Sequence, residues 1–206
     1  RADLRQLLDI SLPMVVSQGS FAAMVFADRL FLSLIDPLHM AAAMGGGVAA
    51  FFTIALFQGV MAYANALVAQ YYGAGDFSKC PRVVTQGLIM ALLCLPVIAG
   101  VAFYVDQLFE AMGHEPEQVV LEQAYYRILM LGTLFNLSKA CIASYFSGIG
   151  RTRVVMMADV SGVLLNIPLS YVLVFGVWGF PELGIEGAAW GTVIATLFAL
   201  VIFAGF

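Results

Sequence analysis

The feature that most constrains this chain is a series of long apolar runs that no charge interrupts. Leu88–Ala102, Val160–Leu165 and Ile194–Phe203 are examples. One membrane-spanning helix needs about 20 apolar residues to cross a hydrocarbon core about 30 Å thick. Six such spans over 206 residues leave about 34 residues for each helix and its loop, which fits. A membrane β-barrel would instead alternate apolar and polar residues in segments of about 10. Composition agrees: 62% of residues are hydrophobic and 11% charged, against about 45–50% and about 25% in soluble domains. Nine Lys/Arg against thirteen Asp/Glu leave a net charge of −4 and no basic patch for phosphates, which excludes nucleic acid as a partner. The expected fold class is all-α, a polytopic membrane protein built as a bundle of six transmembrane helices.

The chain opens on Arg1 and ends inside an apolar run at Ala204-Gly205-Phe206, so it reads as a piece of a longer protein. Asp3, Arg5 and Asp9 interrupt the start, and no cleavage site follows, so no secretory leader is expected. Cys80, Cys94 and Cys141 are too scattered for a disulfide framework or a metal site. His39 and His114 fall in expected loops, and neither a metal nor a cofactor is implied.

Gly/Pro punctuation places the spans near residues 8–35, 42–72, 82–106, 121–147, 153–176 and 186–206. The loops between them are Ile35–His39, Gly73–Pro81, Gly113–Glu117, Gly148–Arg153 and Gly179–Gly184. All are short, so neighbouring helices should run antiparallel. With the N-terminus inside, the inner segments hold Arg1, Arg5, Lys79, Arg82, Arg151 and Arg153. The outer loops then hold Asp36, Glu115, Glu117, Glu182 and Glu186, with Arg127 near the start of the fourth span. This positive-inside bias predicts a multi-pass protein of the cell (inner) membrane with a cytoplasmic N-terminus.

Ionisable groups inside a bilayer cost several kcal/mol and mark functional sites by default. Asp28 lies six to seven residues from the outer end of the first span, about 10 Å below the surface. A structural pair with Arg29 is the plain alternative, but adjacent helical residues point about 100° apart and do not face each other. A partly desolvated carboxylate at that depth is suited to bind a proton or Na⁺. In the fifth span Asp159, Gly162, Asn166 and Ser170 recur at helical spacing as one polar stripe. Ser170 falls near the depth of Asp28 and Asn166 one turn deeper. Pro168 frees a backbone carbonyl one turn earlier. Coupling-ion or substrate binding by Asp28, Asn166 and Ser170 is the sharper reading, and ordinary helix–helix bonding by Asn166 and Ser170 the blander one. Asp159, near the inner face, either lines a cavity, as Pro168 could, or meets only headgroup water or Arg153.

Pro13 can kink or hinge the first span, though local tolerance of proline explains it equally. Ser17 and Phe21 share a helical face with Asp28, and with Asn136 of the fourth span they could line a cavity. Lys139 is expected to snorkel to the inner interface. Gln58, Tyr63, Asn65, Gln70 and Gln86 read as helix–helix bonding groups. The ten Met and sixteen Phe could supply an adaptable pocket or simply face lipid.

No enzyme is expected. Ser147-Gly148 and Ser161-Gly162 lack the first Gly of a rhomboid-like nucleophile motif, and both histidines lie in loops. Gly73-Ala74-Gly75-Asp76 spells the GxGD string of intramembrane aspartyl proteases. However, Asp28 lies toward the opposite face, more than about 15 Å away, and two aspartates must share a site to share a proton.

Four stretches resemble the multidrug and toxic compound extrusion (MATE) family along the whole chain. They are Met24–Leu32 with its Asp28, Val68–Asp76 with its A-Q-x-x-G-A-G pattern, and the Ser147–Thr152 turn. The fourth is Leu164–Leu169 followed by Gly184–Ala189. The resemblance implies the N-terminal lobe of a twelve-helix secondary antiporter. Such a protein exchanges cationic drugs, dyes or metabolites for H⁺ or Na⁺ by alternating access. It also implies a coupling-ion or substrate role for Asp28, a matching Asn166, and a bend at Pro13. The second fifth-helix position of the family, often Asn or Asp, is Ser170 here, so one carboxamide or carboxylate is missing. Arg29 departs from the usual small residue and could hold Asp28 ionised. The implied partners are a small organic cation, membrane lipid and a C-terminal lobe of the same protein. A lipid-linked sugar flippase of the same superfamily, or a non-transporting membrane scaffold, are the rival readings.

Overall fold

The computed structural model describes residues 2–206, with side chains from residue 7 onward. Arg1 and the side chain of Arg5, both counted in the basic excess, lie outside the described residues. Seven α-helices follow in order: α1 (Ala2–Ile35), α2 (Pro37–Gly73), α3 (Cys80–Ala111), α4 (Pro116–Leu131), α5 (Thr133–Gly148), α6 (Thr152–Phe175) and α7 (Ile185–Phe203). A single 3₁₀ turn at Val177–Gly179 separates the last two, and no strand occurs among the described residues. Five of the helices are long and apolar enough to cross a membrane, and α4 with α5 forms a sixth, broken span. The all-α bundle is as expected; several of its boundaries are not.

The stretch expected as one helix over 121–147 is two, bent by 49° at Gly132. Gly132 holds φ −77°, ψ −4°, off the α-helical minimum, while its amide still bonds Ile128 O at 3.2 Å. A Cβ there would come within 2.6 Å of Val193 Cγ2, so the glycine also lets α7 approach the elbow. The loop expected over residues 35–39 shrinks to Asp36 alone. Its backbone is extended (φ −159°), and its side chain accepts from Leu38 N at 2.8 Å, which caps α2. Pro37 then fills the first helical position, where a missing N–H costs nothing. The third span runs on to Ala111 rather than stopping at 106, because Phe109 packs edge-on against Tyr126 of α4. The last helix ends at Phe203, not 206.

Antiparallel spans gather the loops into two ends. Asp36, residues 112–115 and residues 176–184 share an acidic end; residues 74–79 and 149–151, with Lys79 and Arg151, share a basic end. α6 sits centrally and packs most extensively on α1 and α7. The α6–α7 seam is narrow because α7 presents Gly187, Gly191, Ala195 and Ala199 at four-residue intervals. A Cβ on Gly187 would meet the Leu173 carbonyl carbon at 2.6 Å, and one on Gly162 would meet Ala195 O at 3.3 Å. Left-handed Gly176 (φ 64°) ends α6, and the Leu183 and Gly184 amides then bond back to Leu173 O and Val174 O at 3.0 and 3.3 Å. That return fixes the register in which α7 meets α6.

Candidate functional site

On α1 the buried positions are Pro13, Ser17, Met24, Asp28 and Leu32, a stripe at helical spacing that faces α6. On α6 Thr152, Asn166 and Ser170 are the buried polar positions; Asn166 and Ser170 are four residues apart and both 0% exposed. Asp28, 6% exposed, lies beside Ser170 and Thr192. Asp28 is seven residues from the end of α1, Ser170 five from the end of α6, and Thr192 seven from the start of α7. At 1.5 Å per residue all three lie about 8–10 Å below the acidic end. Asp28 and Ser170 thus lie side by side, with Asn166 one turn deeper on α6.

Thr192 is the member that sequence reasoning missed. Its Oγ1 donates to Ala188 O at 3.2 Å and reaches Asp28 Oδ2 at 3.4 Å. The signal was present, since Thr192 and Thr196 are the only hydroxyls in an otherwise apolar helix. Gly191 admits the neighbouring Ser170, because a Cβ there would come within 2.3 Å of Ser170 Oγ.

The cluster is rich in oxygen and short of protein partners. Asp28 Oδ1, Ser170 Oγ and both amide atoms of Asn166 are buried without a hydrogen bond. An unmatched buried polar group costs about 1–3 kcal/mol, so a fold that gathers four such atoms holds them against a gradient of stability. Among the described residues no ion pair includes Asp28 or Arg29. Arg29, one residue on, points to a different side of α1, so it does not hold Asp28 ionised by direct contact. Tyr125 of α4 packs on the apolar cluster of Leu32, Ala43, Val174 and Ala188.

Other expected residues are placed elsewhere. Pro168 is exposed, since two residues of helix turn it about 200° from Asn166, and it takes no part in the cluster. Phe21 is 53% exposed and stands off the buried stripe. Asn136 does not join Asp28: its Oδ1 accepts from Gln58 Nε2 at 2.6 Å, tying α5 to α2. Asp159 does not pair with Arg153. It pairs with Lys139 Nζ at 2.7 Å and accepts from Ser17 Oγ. Lys139 reaches it because α5 and α6 are antiparallel and bring the two charges to similar depth. Arg153 turns to Asp9 at 3.8 Å on the exposed surface.

Glu122 escaped the sequence reading altogether. It is fully buried in α4, accepts from Gln118 Nε2 at 2.9 Å and pairs with His114 Nδ1 at 3.0 Å. Gly45 of α2 makes room for it, since a Cβ there would lie 2.4 Å from Glu122 Oε1. His114, Gln118 and Glu122 follow at four-residue intervals, a pattern visible in the sequence. Asp76 of the GxGD string sits in the loop at the basic end, the far end from Asp28, bonded to Lys79 at 2.6 Å. That bond raises the Lys79 ammonium above its ordinary pKa.

Comparison with known proteins gives the same picture. The MatE family model matches residues 13–172. Multidrug resistance protein PmpM of Pseudomonas aeruginosa is 32% identical over 193 residues, 93% of this chain and 40% of that protein. Multidrug resistance protein NorM of Vibrio cholerae is 28% identical over 194 residues, 94% of this chain and 42% of that protein. The chain thus spans about two-fifths of the length of these curated relatives. A MATE family multidrug resistance transporter of the MOP superfamily, solved outward-facing, superposes with a TM-score of 0.87 at 26% identity, over 96% of this chain and 43% of that one. An inward-facing structure of such a transporter gives 0.77 at 25% identity, over 97% and 44%. With the family model covering most of the residues and the fold matching one six-span half of solved transporters, this chain belongs to the MatE family of membrane transporters.

Proposed function

We propose that this chain is one lobe of a secondary antiporter that exports organic cations in exchange for H⁺ or Na⁺. The observation that carries this reading is the Asp28 cluster: a buried carboxylate in no ion pair among the described residues, beside the hydroxyls of Ser170 and Thr192, with the unpartnered Asn166 one turn along α6. Carboxylate, hydroxyl and amide oxygens are the ligands that hard cations take. A proton on Asp28, or a Na⁺ among these oxygens, neutralises the charge. An organic cation competes for the same carboxylate, which is how one site links two opposed fluxes. A ligand shifts the transporter between its two open states only by binding them differently. The resemblance between this lobe and both outward- and inward-facing relatives supports a single lobe that serves both.

The basic end is taken as cytoplasmic, which puts the N-terminus inside and the Asp28 cluster in the outer half of the cell membrane. On this reading the exposed apolar faces of the six spans meet lipid on the outside and a C-terminal lobe on the cleft side. A flippase for a lipid-linked pyrophosphate would want free basic residues within the spans. Here only Arg29 and Lys139 lie well inside the spans; Lys139 is committed to Asp159 and Arg29 is in no ion pair among the described residues. A pyrophosphate would meet one free cation rather than a basic cavity, and the antiporter reading is preferred.

The test is dye efflux from vesicles holding the complete parent protein under imposed H⁺ or Na⁺ gradients, wild type beside Asp28→Asn. Gradient-driven efflux should disappear in the variant while the protein remains folded. Efflux that persists unchanged would move coupling to the other lobe, and no efflux from wild type would sink the antiporter.

A further inference from the structure

The α1/α6 seam carries two polar rungs, not one. Asp28 faces Ser170 near the acidic end; Ser17 faces Asp159 toward the basic end. Asp28 and Ser17 are eleven residues apart on α1, and Ser170 and Asp159 are eleven apart on α6. Eleven residues is three helical turns, about 16 Å, so the rungs are in register on both helices. The helices run parallel, being the first and fifth spans. Asn166, fully buried and unpartnered, lies between the rungs.

The rungs differ in one respect. Among the described residues Asp28 has no counter-ion, whereas Asp159 has Lys139 at 2.7 Å. An ion pair buried within a membrane protein is weak evidence for stability, since two apolar residues of similar volume often do as well. This pair is also not sealed: the Lys139 and Asp159 side chains are 29% and 16% exposed. Lysine rather than arginine holds it, a flexible point charge rather than a two-pronged clamp. An ammonium on a four-carbon stem can leave the carboxylate without moving a helix.

We infer that Asp159 is a second cation-binding carboxylate on the α1/α6 seam, and that Lys139 is its tethered competitor, displaced when a singly charged organic cation reaches the inner rung. One cation replaces another, so the net charge in the seam is unchanged by the exchange. Ser17, bonded to the same carboxylate, stays as the neutral ligand from α1. The inference rests on the reading that the parent protein moves organic cations, but it does not depend on Asp28 being the coupling site.

Two measurements on the full-length protein in nanodiscs test it, with tetraphenylphosphonium as the probe. The first leaves the sequence untouched. Acylation of Lys139 by an amine-reactive reagent, read by peptide mass spectrometry, should speed up severalfold at saturating probe, while the surface Lys79 does not change. Asp159→Asn should show fast acylation with or without probe. A Lys139 rate unmoved or slowed by the cation overturns the inference. The second is equilibrium binding: Lys139→Gln should tighten probe binding severalfold, and Asp159→Asn added to it should cancel the gain. Unchanged affinity in folded Lys139→Gln also overturns it; if that variant fails to fold, the labelling of wild type decides. Asp28→Asn separates the two readings. If it leaves binding and transport intact while Lys139 labelling still responds, the Asp28 reading fails and this one stands. If wild type binds no probe, both fall.

Discussion

Ser170 Oγ occupies the space that a side chain at Gly191 would need: a Cβ on that glycine would stand 2.3 Å from the hydroxyl and 3.3 Å from Ser170 Cα. Gly191→Ala must therefore push Ser170 toward Asp28 or spread α6 from α7. Overpacking of this kind costs about 1–3 kcal/mol. We expect a lower melting temperature and impaired gradient-driven efflux together. Ser170→Ala in the same background removes the obstructing hydroxyl and should restore melting but not efflux.

Thr192 reaches Asp28 at 3.4 Å, long for a hydroxyl–carboxylate bond, while also bonding Ala188 O. Its loss should be mild in the resting fold. Thr192→Val keeps the shape and removes the hydroxyl, at about 0.5–1.5 kcal/mol. Affinity for the coupling ion should fall about two- to tenfold, with melting nearly unchanged. A variant with unaltered ion dependence would remove Thr192 from the site.

Asp159→Asn leaves the Lys139 ammonium without its carboxylate in the inner rung. We expect destabilisation of about 1–3 kcal/mol, read as thermal melting in detergent. Lys139→Met with Asp159→Leu should regain most of it, because a well-packed apolar pair replaces an ion pair at little cost. A double variant no better than the single would mean that Ser17 or packing, rather than charge, fixes this junction.

Gly45 and Gly59 lie in the same helix and predict opposite outcomes. Gly45→Ala would put a Cβ 2.4 Å from the fully buried Glu122 carboxylate, whereas nothing lies within 4 Å of a Cβ on Gly59. The first should lose about 1–3 kcal/mol. The second should be neutral or stabilising by up to about 1 kcal/mol, since alanine favours helix over glycine. Melting curves of the two variants side by side check this without any assumption about transport.

Much of this was readable in the residues. Asp28, Asn166 and Ser170 could be brought together because helical period and depth below the acidic end are both arithmetic on the sequence. What failed was knowledge of neighbours. Asn136 and Asp159 looked like cavity residues until Gln58 and Lys139 were found across the adjacent helices. Pro168 was grouped with Asn166 by proximity in the chain, when two residues of helix put it on the far side. Gly132 gave no warning of a 49° elbow, since a lone glycine in a span is compatible with a straight helix. Thr192 and Glu122 were lost for the opposite reason. Thr192 was passed over as one of two threonines in α7, and Glu122 because its four-residue spacing from His114 and Gln118 was not read as one helical face.

The one-residue link at Asp36 has a mechanical consequence. α1 and α2 are 34 and 37 residues long, rods of about 50 Å each, joined by a single capped residue with no slack to take up. Any tilt that a bound ion imposes on α1 at Asp28 must pass through that corner into α2. There Gly45 and Gly46 bear on Glu122, and Gln58 holds Asn136. Should ion binding at Asp28, as proposed, tilt α1, no loop lies between that swing and the contacts that α2 makes with α4 and α5.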